Sequence, residues 1–323
     1  MRNDTILVLA DPHEPVLALL EEVRGEAEIV VGNAVESFES CANSAIGIFN
    51  WSGSLPLLRK VFGMCPNLRW VHSRSVGLER SLFPELVESP VVLTNGVGVF
   101  SGPLGEFVLA AILYFAKDLR RMIRNQVAGV WEPFDVVSVA GQTLGIVGYG
   151  DIGRAVAARV HPLGMTIHAL KRHAAPPGQQ DKLINRIYTP DRHIEMLSLC
   201  DYVVVAAPLT EETRGMISER EFAAMKSNTV VINVGRGPVI DEDAMIRALS
   251  TRRIKGAALD VFDEEPLPSD HPFYKLENVL LSPHCADHTS DWLENAVYLF
   301  IDQLERFRGG KPLLNVVRKE LGY

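Results

Sequence analysis

The stretch GIVGYGDIG constrains the fold more than any other, because it joins an apolar run to a helical pattern, DIGRAVAARVHPLG, through three glycines. Gly148, Gly150 and Gly153 stand in a G-x-G-x-x-G arrangement. Glycines at this spacing permit a tight turn and a close approach of the backbone to a pyrophosphate, and the N–H groups at the helix start, including those of Asp151 and Ile152, carry partial positive charge. The alternative is an ordinary turn between a strand and a helix. We interpret the stretch as a dinucleotide-binding turn in a parallel α/β sheet.

Short apolar runs alternate with helical patterns along the chain. Continuous apolar runs of this kind are typical of parallel strands that helices cover on both faces. The first block contains five runs, at 5–10, 27–32, 45–51, 68–73 and 91–95, and the second contains six, at 143–150, 165–171, 201–208, 229–235, 256–262 and 278–284. A long helical pattern over 101–128 is expected to join the blocks, and an amphipathic helix is expected over 290–308. The pattern predicts an α/β fold with two lobes, each built on a doubly wound parallel sheet.

The composition restricts the class of protein and its partners. At 323 residues the chain suits two domains, and 47% hydrophobic with 22% charged residues is typical of a globular protein. A formal charge of -8 argues against nucleic acid or an anionic membrane as the main partner, because there is no basic excess to attract either. No stretch approaches the ~20 apolar residues of a membrane helix. Four cysteines without a C-x-x-C pair favour reduced thiols, so we expect a cytoplasmic protein.

Two basic residues end the apolar strand that follows the glycine turn. An acidic residue is expected about 20 residues after the glycines when the adenosine ribose of the cofactor carries a free 2′-hydroxyl. The sequence there reads HALKRH, with Lys171 followed by Arg172. Two cations would pair with a 2′-phosphate, Arg172 in bidentate fashion, which favours NADP over NAD. The alternative is a solvated pair of basic residues at a strand end.

Polar residues unlike their surroundings stand near three strand ends of the second block. They are Arg236 in NVGRGPVIDEDAMIRAL, Glu265 in GAALDVFDEEPLP and His284 in LSPHCADH. The strand ends of an open parallel sheet converge on the ligand crevice. There, the cation can hold a substrate carboxylate and polarise its carbonyl group, the imidazole can donate a proton to the developing alkoxide, and the carboxylate can orient the imidazole. Each residue taken alone has a structural alternative, as an ion pair, a turn residue or a core histidine. Together they predict the reduction of a 2-oxo acid.

The chain resembles the D-isomer-specific 2-hydroxyacid dehydrogenases in an ordered series of motifs. These are SRSVGLERSLFPEL, GYGDIG, VVAAPLTEETRGMI, NVGRGPVIDEDAMIRAL, DVFDEEPLP and SPH, and the resemblance covers nearly all of the chain. It implies that Arg236, Glu265 and His284 are the catalytic residues. It also implies that a Rossmann coenzyme domain, residues 100–287, is inserted in a flavodoxin-like substrate-binding domain made of residues 1–99 and 288–323.

The same resemblance assigns further binding residues. Asp260 matches the position that contacts the nicotinamide carboxamide, and the loop at Val76 and Gly77 is expected to hold the substrate carboxylate with backbone N–H groups. The implied cofactor-binding residues are Gly148, Gly150, Asp151, Ile152, Gly153, Lys171, Arg172, Ala207, Pro208, Thr213, Val234, Gly235, Asp260, His284 and Ala286. The implied substrate-binding residues are Trp51, Ser75, Val76, Gly77 and Arg236. The family also implies a homodimer that pairs through the coenzyme domains.

Within the family, the basic pair at Lys171 and Arg172 is similar to that of NADPH-preferring glyoxylate and hydroxypyruvate reductases. We therefore expect hydride transfer between NADP(H) and a small 2-oxo acid or D-2-hydroxy acid, with glyoxylate or hydroxypyruvate as the substrate. Two alternatives stay open. One is an NAD(P)-sensing binding protein or corepressor on the same fold, and the other is a dehydrogenase of another small anion such as formate, phosphite or 3-phosphoglycerate.

Four side chains that can ligate a metal lie close together in LSPHCADH, namely His284, Cys285, Asp287 and His288. The apolar strand and the proline that precede them argue against a shared helical face. A zinc site needs three or four convergent ligands, and no second group of ligands stands near these in the sequence, so no metal is expected. Asp287, where the family usually carries a small residue, and His288 are the expected reporters of substrate preference.

Overall fold

The computed structural model describes residues 4–23, 25, 27–172 and 181–322. The chain divides into two compact units. Unit 1 is Met1–Phe100 with Thr289–Tyr323, and unit 2 is Ser101–His288. Within the described ranges, no helix has the length and apolar character needed to cross a membrane.

The strands of both units are short and all of them pair in parallel. In chain order they are β1 (Asp4–Leu9), β2 (Ala27–Gly32), β3 (Ala45–Asn50), β4 (Trp70–Ser73), β5 (Val92–Thr94), β6 (Thr143–Val147), β7 (Thr166–Leu170), β8 (Arg186–Tyr188), β9 (Tyr202–Val205), β10 (Val230–Asn233), β11 (Gly256–Leu259) and β12 (Val279–Leu281).

The α-helices fill most of the intervals between the strands. In chain order they are α1 (Leu55–Met64), α2 (Pro84–Glu88), α3 (Ser101–Ala116), α4 (Leu119–Ala128), α5 (Asp151–Val160), α6 (His193–Leu199), α7 (Glu219–Ala224), α8 (Glu242–Ser250) and α9 (Trp292–Arg308). A nine-residue 3₁₀ helix, Pro15–Val23, links β1 to β2.

The described part of unit 1 contains a five-stranded sheet in the order β2-β1-β3-β4-β5. This is the flavodoxin-like order of a doubly wound sheet. In the central register, Leu7 of β1 pairs with Val30 of β2 and with Ile48 of β3. The five predicted strands and their parallel arrangement are confirmed.

The two faces of this sheet are covered by different parts of the chain. On one face, Ile48 and Val71 pack with residues of α1, including Leu58 and Val61. On the other, α9 supplies Val297, Phe300 and Leu304 to a cluster that contains Ile6, Val8, Phe49 and Trp70. The Phe300 ring stacks on that of Phe49 with a centroid separation of 4.1 Å. A helix from the end of the chain therefore completes the core begun by its first strands.

The described part of unit 2 contains a seven-stranded sheet in the order β12-β11-β10-β9-β6-β7-β8. The prediction of six strands is wrong by one, because β8 was missed. This edge strand has only three residues, RIY, and Arg186 is exposed, so it lacks the continuous apolar run that marked the others. The strand order and the crossovers confirm the predicted Rossmann-type sheet.

The long helix predicted over 101–128 is interrupted. The chain forms α3 and α4 instead, and Asp118 between them adopts a left-handed conformation with φ 49°. Its side chain accepts a hydrogen bond from the N–H of Arg121, as an N-cap residue does. The apolar pattern continued past this cap, so the pattern alone did not reveal the break.

Candidate active site

The glycine turn of unit 2 lies between β6 and α5. Gly148 has φ +91°, and a Cβ there would lie 2.6 Å from the backbone of Ala207, so this position requires glycine. A Cβ at Gly153 would lie 2.7 Å from the carbonyl oxygen of Gly148. A Cβ at Gly150 would meet no described heavy atom within 4 Å, so the space beside it is open. Open space at the start of a ten-residue helix fits a diphosphate, because the helix amides point toward it.

The loop after β9 forms the neighbouring wall of the turn. The N–H of Ala206 donates to the carbonyl of Val147 at 2.8 Å. The Thr213 hydroxyl donates to the carbonyl of Pro208 at 2.6 Å and accepts from the N–H of Thr210 at 2.8 Å. These bonds fix the predicted cofactor residues Ala207, Pro208 and Thr213 in one ordered loop.

Lys171 and Arg172 directly follow β7, as predicted, and carboxylates lie beside the basic side chains of this region. Arg172 pairs with Glu212 at 2.5 Å. The Lys171 ammonium lies 5.8 Å from the centroid of the Tyr149 ring, and the Tyr149 hydroxyl donates to Asp181 at 3.1 Å. A third cation, Arg154 in the first turn of α5, pairs with the same Asp181 oxygen at 3.1 Å.

No role in cofactor binding was predicted for Arg154, Asp181 or Glu212. Arg154 could have been found, because it stands one residue after the last glycine of the motif. Asp181 lies eleven residues beyond the end of β7, and no sequence signal marked it. The N–H of Leu183 donates to Asp181 and lowers the pKa of this carboxyl, and the Tyr149 hydroxyl and the nearby cations lower it further. The basic pair therefore belongs to a mixed cluster of charges.

The three predicted catalytic residues follow neighbouring strands, Arg236 after β10, Glu265 after β11 and His284 after β12. His284 Nδ1 lies 2.6 Å from Glu265 Oε2. The other carboxylate oxygen of Glu265 accepts from the N–H of Phe262 at 3.0 Å, which fixes the carboxylate. The His284 side chain keeps 45% of its surface exposed and that of Glu265 keeps 35%, so reactants can reach them. The structure thus brings the imidazole and the carboxylate into direct contact.

Arg236 is half-buried in a turn that its neighbours hold in shape. Its guanidinium donates to the carbonyl of Gly235 at 2.7 Å. The buried Asn233 spans the turn, because its amide donates to the Arg236 carbonyl and its oxygen accepts from the N–H of Gly235, both at 3.1 Å. The predicted cofactor residues Val234 and Gly235 lie within this turn. Asn233 begins the motif NVGRGPVIDEDAMIRAL, but no role was predicted for it, because the sequence does not show that its side chain spans the turn.

His284 has φ 51°, a left-handed conformation that side chains rarely adopt. Such a residue costs about 1–3 kcal/mol and persists where the surroundings hold it. Here one oxygen of the buried Asp260 accepts from the Ser282 hydroxyl at 2.6 Å and from the N–H groups of Cys285 and Ala286 at 3.0 and 3.1 Å. Burial raises the pKa of Asp260, and these three hydrogen bonds oppose the shift. Asp260 therefore holds the loop that contains His284 in shape. The contacts predicted between the cofactor and the residues Asp260 and Ala286 stay predictions.

The predicted substrate-binding loop of unit 1 follows β4. The Asn95 amide donates to the carbonyl of Val76 at 3.0 Å, and the N–H of Gly96 donates to that of Ser75 at 3.3 Å. Gly77 continues the same half-buried segment. Trp51 follows β3 and is only 2% exposed, packed in the cluster that α9 completes. Its predicted contact with substrate stays a prediction.

The remainder of LSPHCADH forms a turn. The N–H of His288 donates to the carbonyl of Cys285, and the His288 imidazole lies 3.7 Å from the Asp287 carboxylate. Cys285 is an exposed free thiol. Across the described residues, no group of three or more His, Cys, Asp or Glu side chains is arranged to hold a metal ion.

Comparison with known proteins agrees with this geometry. Residues 109–286 match the family described as "D-isomer specific 2-hydroxyacid dehydrogenase, NAD binding domain". The glyoxylate reductase of Korarchaeum cryptofilum (strain OPF8) is 34% identical over 272 residues, which are 82% of this chain and 81% of the relative. The glyoxylate/hydroxypyruvate reductase B of Salmonella newport (strain SL254) is 34% identical over 271 residues, 81% of this chain and 82% of the relative.

A solved structure extends the match to the whole chain. It is a D-isomer specific 2-hydroxyacid dehydrogenase from Xanthobacter autotrophicus Py2 in complex with NADPH and MES. It is 26% identical, has a TM-score of 0.85, and the match covers 99% of this chain and 100% of that one. These matches agree with the glycine turn and with the contact between His284 and Glu265. The chain therefore belongs to the D-isomer specific 2-hydroxyacid dehydrogenases, a family of oxidoreductases.

Proposed function

We propose that this enzyme uses NADPH to reduce a small 2-oxo acid, glyoxylate or hydroxypyruvate, to the D-2-hydroxy acid. The observation that carries the proposal is the 2.6 Å contact between His284 and Glu265 in the same unit as the glycine turn and Arg236. Relatives named glyoxylate reductase and glyoxylate/hydroxypyruvate reductase B, at 34% identity, support the choice of substrate. Unit 2 is then the coenzyme domain, and unit 1 is the substrate-binding domain.

In the proposed reaction, Arg236 and His284 act on the substrate, and Glu265 acts on His284. The nicotinamide cofactor supplies the hydride when it is bound. In the imidazolium form of His284, the Nδ1–H group donates to Glu265 and Nε2 carries a second proton. This second proton passes to the carbonyl oxygen of the substrate as the hydride arrives at the carbonyl carbon, and His284 is left as a neutral imidazole. Arg236 binds the substrate carboxylate and polarises the carbonyl group, because a guanidinium offers two parallel donors to a carboxylate.

The preference for NADPH rests on the charges after β7. Lys171, Arg172 and Arg154 offer three cations, which Asp181 and Glu212 partly offset. A 2′-phosphate can replace Glu212 as the partner of Arg172, because it forms a charged hydrogen bond of similar strength. A neutral ribose hydroxyl forms a weaker hydrogen bond and would not compensate for breaking that ion pair. The solved relative in complex with NADPH is consistent with this choice.

We also propose a homodimer that forms through the coenzyme domains. None of the ten residues of α4, all of them described, is buried, and this helix and the segment after it expose Ile123, Val127 and Trp131 to 58%, 85% and 96%. Exposed apolar patches of this kind mark protein interfaces. A cytoplasmic location agrees with four free cysteines, which are typical of a reducing compartment.

The deciding experiment is a panel of 2-oxo acids offered to the purified protein with NADPH and, in parallel, with NADH. We expect glyoxylate or hydroxypyruvate to be reduced, with a higher kcat/KM for NADPH than for NADH. Tight NADPH binding without turnover of any substrate would instead favour a dinucleotide-sensing binding protein. A second panel pairs formate, phosphite and 3-phosphoglycerate with NADP+ and NAD+, because these compounds give up a hydride. Oxidation of one of them without reduction of any 2-oxo acid would move the enzyme to another substrate class on the same fold.

A further inference from the structure

Two indole rings hold a guanidinium at the carboxyl edge of the sheet in unit 1. Arg74 directly follows β4, and Trp51 directly follows the adjacent β3. The Arg74 Cζ lies 4.6 Å from the centroid of the Trp51 ring and 5.4 Å from that of Trp292, which begins α9. Cation–π contacts of this kind fix the plane of a guanidinium and leave its N–H donors unused.

The donors of Arg74 find no acceptor in the part of the chain that the structure describes. A guanidinium carries five N–H donors, and the side chain of Arg74 makes no hydrogen bond or ion pair to a described residue. Burial lowers the pKa of Arg74, and the influences of Glu14 and Arg80 oppose each other. Glu14 acts on Arg74 without forming an ion pair with it, and a partly buried cation that no anion contacts directly is costly unless a ligand supplies one.

The position of Arg74 is where a doubly wound sheet places its ligand. In open parallel sheets, ligands bind beyond the carboxyl ends of the strands. The chain continues from Arg74 into Ser75 and Val76, whose carbonyls are held by Gly96 and Asn95. A charged group whose orientation is already restricted loses little conformational freedom when it binds, which strengthens binding.

We propose that Arg74 is a substrate-binding residue whose guanidinium holds a carboxylate of the 2-oxo acid. This carboxylate is either the one beside the reacting carbonyl or a second one at the far end of the substrate. The proposal rests on the reductase function proposed above and defines its substrate class more closely. If Arg74 only packs between the two indoles, its removal affects stability and leaves substrate binding unchanged.

The test compares Arg74→Met and Arg74→Lys with the wild type. Arg69→Met serves as the matched control, because Arg69 is an exposed arginine of unit 1 whose Cζ also lies over an aromatic ring, 5.0 Å from the centroid of Phe307. KM and kcat are measured for glyoxylate, which has one carboxylate, and oxaloacetate, which has two. We expect Arg74→Met to raise KM at least about 10-fold while kcat stays within about threefold, since a charged hydrogen bond contributes about 1.5–3 kcal/mol. An increase with both substrates assigns Arg74 to the carboxylate beside the carbonyl, and an increase with oxaloacetate alone assigns it to the distal one.

A second readout does not depend on turnover. Calorimetric titration of malate, which carries two carboxylates, into the NADPH-loaded protein should show weaker binding to Arg74→Met. Oxamate, which carries one, should also bind more weakly if Arg74 holds the carboxylate beside the reacting carbonyl, and should bind as to the wild type if Arg74 holds the distal one. Arg74→Lys keeps the charge without the planar fork, so partial binding is expected, and this variant decides the question if Arg74→Met does not fold. Values within twofold of the wild type for both ligands and both substrates overturn the proposal. A wild type that binds NADPH but neither reduces nor binds any of these acids overturns the reductase function itself.

Discussion

At the scale of single residues, the contact between His284 and Glu265 has the most direct chemical consequence. It commits Nδ1 of the imidazole to the carboxylate, which leaves Nε2 for the reactant. The left-handed conformation of His284 and the three hydrogen bonds to Asp260 set the direction in which the ring is presented. A small change in this loop can therefore reorient His284, the proposed proton donor, without a substitution at His284 itself.

Replacement of His284 by alanine should lower kcat by about 10²- to 10⁴-fold, which is the usual contribution of a general acid. The affinity for NADPH should change little, because the glycine turn that is proposed to bind the diphosphate is untouched. Steady-state kinetics and a fluorescence titration of NADPH measure the two effects. His161→Ala, an exposed histidine after α5, serves as the control. A His284→Ala enzyme with nearly normal kcat would remove His284 as the proton donor.

Replacement of Lys171 by aspartate together with Arg172 by alanine should shift the ratio of NADPH to NADH affinity toward NADH by about 10-fold or more. The change removes two cations and introduces a carboxylate that repels a 2′-phosphate. Asp181→Asn should shift the ratio in the opposite direction, because it removes a negative charge beside Arg154. Dissociation constants for both cofactors give the ratio, and Lys182→Asp, at an exposed lysine, is the control. An unchanged ratio in the double variant contradicts the phosphate-binding role.

At the scale of elements, the sequence predicts best where one signal is strong and local. The apolar strands and the glycine turn were predictable because burial on both faces demands continuous apolar runs, and because Gly148 tolerates no side chain. The strand β8 was not predictable, because three residues at a sheet edge need little apolar character. The break at Asp118 was not predictable either, because a single capping carboxylate can begin a new helix without altering the apolar pattern. The contacts of Asp181 and Glu212 depend on tertiary structure, which no local pattern encodes.

Lys319 is one of the residues that hold the last described segment of unit 1 against its sheet. The Lys319 ammonium donates to the carbonyls of Leu86, Ser89 and Val91 at 2.7–2.8 Å, where α2 turns into β5. Lys319→Met should lower the free energy of unfolding of unit 1 by about 2 kcal/mol, because three carbonyls lose a charged donor in a half-buried place. Denaturant unfolding followed by tryptophan emission measures this. Lys311→Met, at an exposed position, should change it by less than about 0.5 kcal/mol, and equal effects of the two variants would contradict the role of the contact.

At the scale of the whole molecule, the exposed apolar surface at α4 predicts assembly. Val127→Asp combined with Trp131→Asp should weaken the proposed dimer about 100-fold, since two exposed apolar side chains at an interface become charged. Sedimentation velocity over a concentration series reports the dissociation constant. Tyr274→Asp changes an equally apolar exposed position of unit 2 outside this segment and should leave it unchanged. A wild type that sediments as a monomer at every concentration contradicts the proposal.

Stability should fall in acid because the His72 side chain is fully buried. Burial lowers its pKa to about 3, whereas the unfolded chain has an ordinary histidine near 6.5. Between these values the unfolded state binds a proton that the folded state does not, so the contribution is full above pH 6.5 and is lost at about 1.4 kcal/mol per pH unit as the pH falls. His72→Gln should flatten the dependence of unfolding free energy on pH between 6 and 4 by one proton. The exposed His13→Gln is the control, and parallel curves for His72→Gln and wild type would contradict the effect.

The placement of α9 has a consequence for synthesis on the ribosome. Its residues Val297 and Phe300 complete the cluster around Ile6, Phe49 and Trp70, but they are translated last. Unit 2, by contrast, is one continuous segment and can be complete while unit 1 still lacks this helix. The nascent chain must therefore carry an uncovered aromatic surface through the translation of more than two hundred residues, from Trp70 to Val297, and this interval is when it most needs a chaperone.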